Sequence, residues 1–272
     1  MIRLGSPNDG GYVVPRARVR AARHLLSLGL SDNWDFELAF VRANPDALVT
    51  GVDYSVTRGF LARRIFRSLW KIPAYALIFH RRKVRNYTQL LRSCALFSRF
   101  FSPPNRHLLR RVADRASSPL DITLPELLAG IPEQGPSDLF LKMDIEGSEY
   151  EALPEIVRNH HRFGCITGEF HSLDTRTADF NEALSLLAGP FVLVHVHGNN
   201  CGPYDPVHDF PASVELTWVH RSTLGAPPSP ARGPYPRPGL DRPNDPRRPD
   251  HPIRLEDAAP SLAPPAIPDT SR

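Results

Sequence analysis

The chain of 272 residues is 41% hydrophobic, with 29 prolines, three cysteines and a formal net charge of +4, enough for one sizeable α/β core with additions. No uncharged apolar run reaches the roughly 18 residues of a spanning helix, and Pro7, Asn8, Asp9, Gly10 and Gly11 interrupt the start, so no secretory h-region is expected. Cys94, Cys165 and Cys201 are too widely spaced for a disulfide framework or a metal motif, so a reducing, cytoplasmic setting is expected.

In chain order, Leu25 to Leu30 reads as a first parallel strand that closes on Gly29. Asn33 to Val41 follows with helical spacing of Trp34, Leu38 and Val41, and Leu48 to Val52 is a second strand ending in Asp53. Strand, helix and strand within about 30 residues open a doubly wound sheet. From Tyr54 to Ala113 there are 14 Lys and Arg and no Asp or Glu, which leaves 19 basic and 29 acidic residues for the rest. This block also carries Phe66, Trp70, Tyr75, Phe79 and Phe101. A phosphorylated substrate, an acidic membrane surface or RNA each fits such a block, as does plain solvation of outer helix faces. Within it Gly59 to Trp70 is expected to be helical and to break at Pro73. Ala76 to Phe79 is expected to be a third strand, and Tyr87 to Phe100 an amphipathic helix.

Order resumes where Thr123 caps a short helix from Pro125 to Ala129. A loop from Pro132 to Ser137 leads into a buried strand, Leu139 to Met143, that ends in acid. Ser148 starts a helix to about Asn159 with Glu149 and Glu151 in its first turn, where carboxylates suit the helix dipole. Cys165 to Phe170 is the next strand and Thr177 to Leu187 the next helix. Phe191 to Val196 and Val214 to Val219 are the last strands and read as an antiparallel edge pair. From Gly225 onward 14 of 48 residues are proline, so an extended tail without a core of its own is expected.

Ligands of open α/β sheets bind beyond the carboxyl ends of the strands. Asp53 stands there after the second strand, where a carboxylate can accept both hydroxyls of a ribose; a solvated loop acid is the alternative. Ser27-Leu28-Gly29-Leu30-Ser31-Asp32 supplies one glycine and no phosphate-cradling loop, which disfavours NAD or ATP. Asp144 and Glu146 are separated by one residue across a turn that Gly147 follows, and either face a ligand or cap a helix. Glu169 and His171 share a face, as do His195 and His197, with His195 read as a core residue. Asp144, Glu169, His171, His197 and Asn199 would gather at one sheet edge. There a base could deprotonate an acceptor hydroxyl, or a divalent metal could acidify it; the spacings match no specific metal motif, and a metal is not favoured.

Several segments resemble the FkbM-like S-adenosylmethionine (SAM) methyltransferases. Leu141-Lys142-Met143-Asp144-Ile145-Glu146-Gly147-Ser148-Glu149 is similar to the Lys-x-Asp-x-Glu-Gly-x-Glu signature of that family. Ser27 through Glu37 resembles its variant first motif, which ends in Phe-Glu. Asn8-Asp9-Gly10-Gly11-Tyr12, Glu169-Phe170-His171, His197-Gly198-Asn199-Asn200 and Pro238 to Asn244 also have that look. The resemblance implies a class I methyltransferase, Rossmann-like doubly wound sheet, mostly parallel with an antiparallel C-terminal edge pair. It also implies SAM as methyl donor and a hydroxyl acceptor on a sugar or natural product.

These readings combine into one expectation. A methyltransferase domain spans residues 1–223, with a basic insertion at about 56–113 and a proline-rich tail over 224–272. Ser27, Gly29, Asp32, Asp53, Tyr54 and Asp144 are expected to hold SAM; Asp144, Glu146, His171 and His197 are expected to act on a small-molecule or glycan acceptor. Residues 58–111 are expected to offer a membrane-surface or nucleic-acid contact. Two competing readings are an anion-binding protein on a degenerate methyltransferase sheet and a metal hydrolase using Asp144, Glu169 and the histidines.

Overall fold

In the computed structural model, which describes residues 1–226, 228–231 and 233–254, seven strands form one central sheet. They are β1 (His24–Leu28), β2 (Leu48–Val52), β3 (Arg106–Leu108), β4 (Leu139–Met143), β5 (Phe163–Phe170), β6 (Phe191–Gly198) and β7 (Val214–His220). Their spatial order is β6-β7-β5-β4-β1-β2-β3. All neighbours are parallel except β7, which runs antiparallel to both β5 and β6. The sheet is thus a doubly wound α/β sheet whose order reverses at β1.

Six of these strands are largely apolar runs, as a sheet covered on both faces requires. On one face, α1 (Arg16–Ala21), α2 (Asp35–Ala43) and an N-terminal hairpin, Ile2–Gly5 with Gly11–Val14, pack on Leu25, Val49, Phe140 and Cys165. Phe40 meets Phe140 edge-on with centroids 5.0 Å apart, and Tyr12 meets Phe36 at 5.6 Å. The other face holds α5 (Leu124–Ala129), α6 (Glu149–Arg158) and α7 (Thr177–Ala188) against Leu26, Leu28, Leu141 and Met143. The capping box of α5, Thr123 with Glu126, forms as its sequence requires.

Between β2 and β3 the basic block folds as a helical hairpin, α3 (Arg58–Leu77) and α4 (Arg81–Phe100). Two expectations are corrected here. Pro73 lies inside α3 and does not end it, because an exposed helix can leave the one freed carbonyl to water. Ala76 to Phe79 is no strand; it is the end of α3 and the turn into α4. The third parallel strand is Arg106–Leu108, paired with Thr50 to Val52.

The tail differs too. It carries no helix or strand among its described residues, but Tyr235 and Ile253 are buried in the main core, and Asn244 and Asp245 are buried beside the sheet. Prolines denied the segment regular structure without denying it a place on the domain. Residues 255–272 lie outside the described residues.

Candidate functional site at the carboxyl edge of the sheet

Strand register sets the site. Leu28 pairs with both Val52 and Met143, and Met143 pairs with Gly168. The carboxyl ends of β2, β1 and β4 are therefore flush, and Asp53, Gly29, Asp144 and Glu169 follow side by side. Glu169 pairs with Glu215 and Glu215 with His197, so one transverse row crosses six strands and is polar at five of them, with Gly29 at β1. Two residues earlier, Ser27, Lys142, Thr167, Thr217 and His195 form a second polar row in the same register. Alternation puts both rows on one face.

The β1 end is built from main chain. Gly29 has φ +80°, and a Cβ there would lie 1.7 Å from the Asp144 carbonyl oxygen, so only glycine fits. Lys142 Nζ donates to the Gly29 carbonyl. Below it Ser27 Oγ donates to the fully buried Glu37 at 2.5 Å. Burial raises the Glu37 pKa, opposed by the nearby Lys142 charge.

Asp53 is buried, and its donors are its own chain. Oδ2 accepts from Leu30 N and Ser31 N at 2.9 and 2.7 Å; Oδ1 accepts from the amide and hydroxyl of Ser55, both at 2.7 Å. Burial alone would raise its pKa, but these hydrogen bonds hold it below the ordinary value. Four donors fill a carboxylate, so Asp53 fixes the loop after β1. Asp32 ion-pairs with Arg64 of α3, and Tyr54 is half exposed beside Asp53.

The β4 end carries the densest chemistry. Glu149, fully buried at the start of α6, accepts from Ile145 N at 2.9 Å and Gly147 N at 2.8 Å. It thereby clamps the turn in which Glu146 takes φ +56° and Gly147 φ +101°. The same carboxylate meets His171 Nδ1 at 3.1 Å. The other nitrogen, Nε2, lies 3.5 Å from Glu169, 3.7 Å from Glu146 and 3.9 Å from Asp144. Burial alone would lower the His171 pKa; the Glu149 hydrogen bond and the Glu169, Glu149 and Asp144 charges overcome it and raise it to about 9. Glu169, buried beside Asp144, has its pKa pushed well up by desolvation and that like charge, and accepts from Asn199 Nδ2 at 2.6 Å. Tyr12, brought in by the N-terminal hairpin, donates to Asp144 Oδ2 at 3.1 Å.

Asp144, Glu146 and His171 therefore come together, with Glu169 and Asn199 beside them. His197 does not join them. It is 1% exposed, with Nδ1 on Glu215 Oε2 at 3.0 Å and Nε2 on the tail residue Asp250 at 3.1 Å. Burial works against its charge, yet these two carboxylates raise its pKa to about 10. His195 is likewise closed off by Asp241 at 2.8 Å. The structure adds Tyr12 and Glu149, whose sequence signals were the Asn-Asp-Gly-Gly-Tyr segment and the last acid of the Asp-x-Glu-Gly-x-Glu run.

Among the described residues, one side-chain group, Asp144, Glu149 and His171, offers ligand atoms within 4.8 Å of one another. Glu149 already serves three N–H donors, so it is an orienting residue rather than a spare metal ligand. A cavity of about 610 Å³ lies elsewhere, between the tail residues Arg248 to Arg254 and the Asn200 to Tyr204 loop. Chemistry and cavity do not coincide, and the polar row identifies the site.

No family model matches the chain, and no curated protein matches it. Among solved structures, the chain is similar to a Methanococcus jannaschii fibrillarin pre-rRNA processing protein, with 13% identity over 77% of this chain and 70% of that one, at a TM-score of 0.40. A Bacillus cereus O-methyltransferase in complex with SAH gives 12%, 75%, 76% and 0.39 in the same order. Aeropyrum pernix fibrillarin with natively bound S-adenosyl-L-methionine gives 15%, 74%, 68% and 0.37. At such scores the chemistry of those proteins is not carried to this chain, and its own residues decide.

Proposed function

We propose that the chain is a SAM-dependent methyltransferase acting on a hydroxyl oxygen of a sugar or natural-product-like acceptor. The supporting observation is the coincidence of the order reversal at β1 with the Gly29–Asp144 contact and the acidic cluster around His171. A doubly wound sheet opens its ligand crevice at such a reversal.

The donor set suits SAM. The cofactor has a cationic sulfonium and ammonium and no phosphate. Asp144, Glu146 and Glu169 are acids, and Lys142, the cation beneath them, is occupied by the Gly29 carbonyl. In this reading the Gly29–Ser31 loop and Asp144 line the cofactor, Asp53 acts by fixing that loop, and Tyr54 offers an exposed ring beside it. A ribose hydroxyl reaching Asp53 would replace the Ser55 hydroxyl. When bound, SAM supplies a methyl group on a positively charged sulfur.

The chain's own residues do the rest. With a pKa of about 9, His171 is an imidazolium at neutral pH, so it donates from Nε2 and orients the acceptor. Asp144, which already accepts from Tyr12, is the group placed to take the acceptor proton. Positioning of this kind is worth up to roughly 7–11 kcal/mol in favourable cases.

Calorimetric titration of SAM into wild type and Asp144→Asn tests the reading. Saturable binding is expected in wild type, weakened about tenfold or about 1.4 kcal/mol in the variant. A folded wild type that takes up no SAM overturns it.

A further inference from the structure

The α3–α4 hairpin is unlike the rest of the molecule. Arg58 to Phe100 contains eleven Lys and Arg and no Asp or Glu. Among the described residues the only acid that ion-pairs with one of these cations is Asp32, bound to Arg64 at the base. That base is anchored: Leu61, Cys94 and Phe97 pack with Leu30, Trp34 and Val56 beneath the loops after β1 and β2. Beyond it, each 20-residue helix extends about 30 Å.

Apolar surface increases toward the far end. Phe66, Trp70 and Leu77 are 75%, 68% and 81% exposed, and their spacing, with exposed Pro73, puts them on one helix face. Leu77 ends α3 and the turn follows as Ile78-Phe79, with Ile78 65% and Phe79 88% exposed. Phe79 sits at φ +52°, a conformation that favours Gly or Asn and costs a bulky side chain. The ring gains no burial there in return. Immediately after it come His80, Arg81, Arg82 and Lys83, and Lys71 and Lys83 both lie over the Tyr75 ring at 5.8 and 4.6 Å. An apolar tip collared by cations is the pattern of a segment that enters the interface of an anionic bilayer. No helix among the described residues is long and apolar enough to cross one. RNA would use the cations but leave Leu77 and Ile78 without a partner.

We propose that the α3–α4 hairpin docks the protein on an anionic membrane surface, inserting Leu77, Ile78 and Phe79 among the lipids while the surrounding arginines and lysines meet the headgroups. The inference is independent of the methyltransferase reading, since neither SAM nor the acceptor enters it.

The test is sedimentation of the full chain with phosphatidylcholine vesicles, with and without phosphatidylserine. Binding is expected only to the anionic vesicles, falling as salt is raised. Of the three tryptophans, Trp34 and Trp218 are buried and Trp70 is exposed, so a blue shift of emission on docking would report the hairpin. The variant Leu77→Ser, Ile78→Ser, Phe79→Gly alters exposed residues only and should bind at least about tenfold more weakly. Neutralising Arg81, Arg82 and Lys83 to Gln should weaken binding by about fivefold per charge. Absence of vesicle binding overturns the proposal. So does full binding by the tip variant, or RNA binding that displaces the vesicles and ignores the tip substitutions.

Discussion

Glu149→Gln separates the orienting carboxylate from the groups it orients. In wild type, Glu149 accepts from Ile145 N, Gly147 N and His171 Nδ1. The raising of His171 from 6.5 to about 9 corresponds to about 3 kcal/mol at 1.36 kcal/mol per pH unit. Because the folded value lies above the unfolded one, this contribution is complete below pH 6.5 and is lost as the pH climbs through about 9. Removing the Glu149 charge takes away the first of the groups that raise the value. An opposite charge at this range typically moves a pKa by about 1–3 units, so His171 should titrate lower in the variant by that amount. The amide also leaves one backbone N–H without its charged acceptor, a further cost of about 1.5–3 kcal/mol. Proton NMR titration of the His171 ring and urea unfolding across pH 6 to 10 read both effects. A wild-type His171 that titrates at its ordinary value, or a variant that leaves the titration unmoved, would refute the account of the cluster.

Two further outcomes follow from contacts already described. Asp250→Asn leaves the buried His197 with Glu215 as its one carboxylate partner, and loss of a hydrogen bond to a charged group costs about 1.5–3 kcal/mol. Denaturant midpoints should show that loss at pH 7 and less of it above the His197 pKa of about 10; a stability equal to wild type would mean the tail does not latch there. Gly29→Ala forces a Cβ to within 1.7 Å of the Asp144 carbonyl at a positive φ, so β1 and β4 must part at their ends. Thermal melting should fall by an amount equivalent to more than about 3 kcal/mol, and an unchanged melting temperature would contradict the contact.

Six of the seven strands were legible because each is a short, largely apolar run, and four of them close on Gly or Asp: Gly29, Asp53, Asp144 and Gly198. The seventh, Arg106–Leu108, has three residues and no alternation. Its identity comes from pairing with Thr50 to Val52, which no local pattern encodes. Ala76 to Phe79 misled for the opposite reason, since a short apolar run reads as a buried strand when it is an exposed turn. At the site, Asp144, Glu146 and His171 could be brought together from sequence because parallel neighbours end level with one another. The fate of His197 could not, since Asp250 lies 53 residues further along. Tyr12 and Asp144 are 132 residues apart, and only the hairpin folded over the sheet makes them partners.

The docking of residues 233–254 on the sheet carries a consequence for the order in which the protein can be completed. A nascent chain that has already made all seven strands still lacks Asp241 for His195, Asn244 for Glu215 and Asp250 for His197. Until those residues emerge, the strands β6 and β7 hold charged groups facing an unfinished surface, next to the carboxylates of the site. Synthesis therefore supplies the strands first and the partners of His195, Glu215 and His197 last, so the far end of the polar row is closed only after the tail has been laid down.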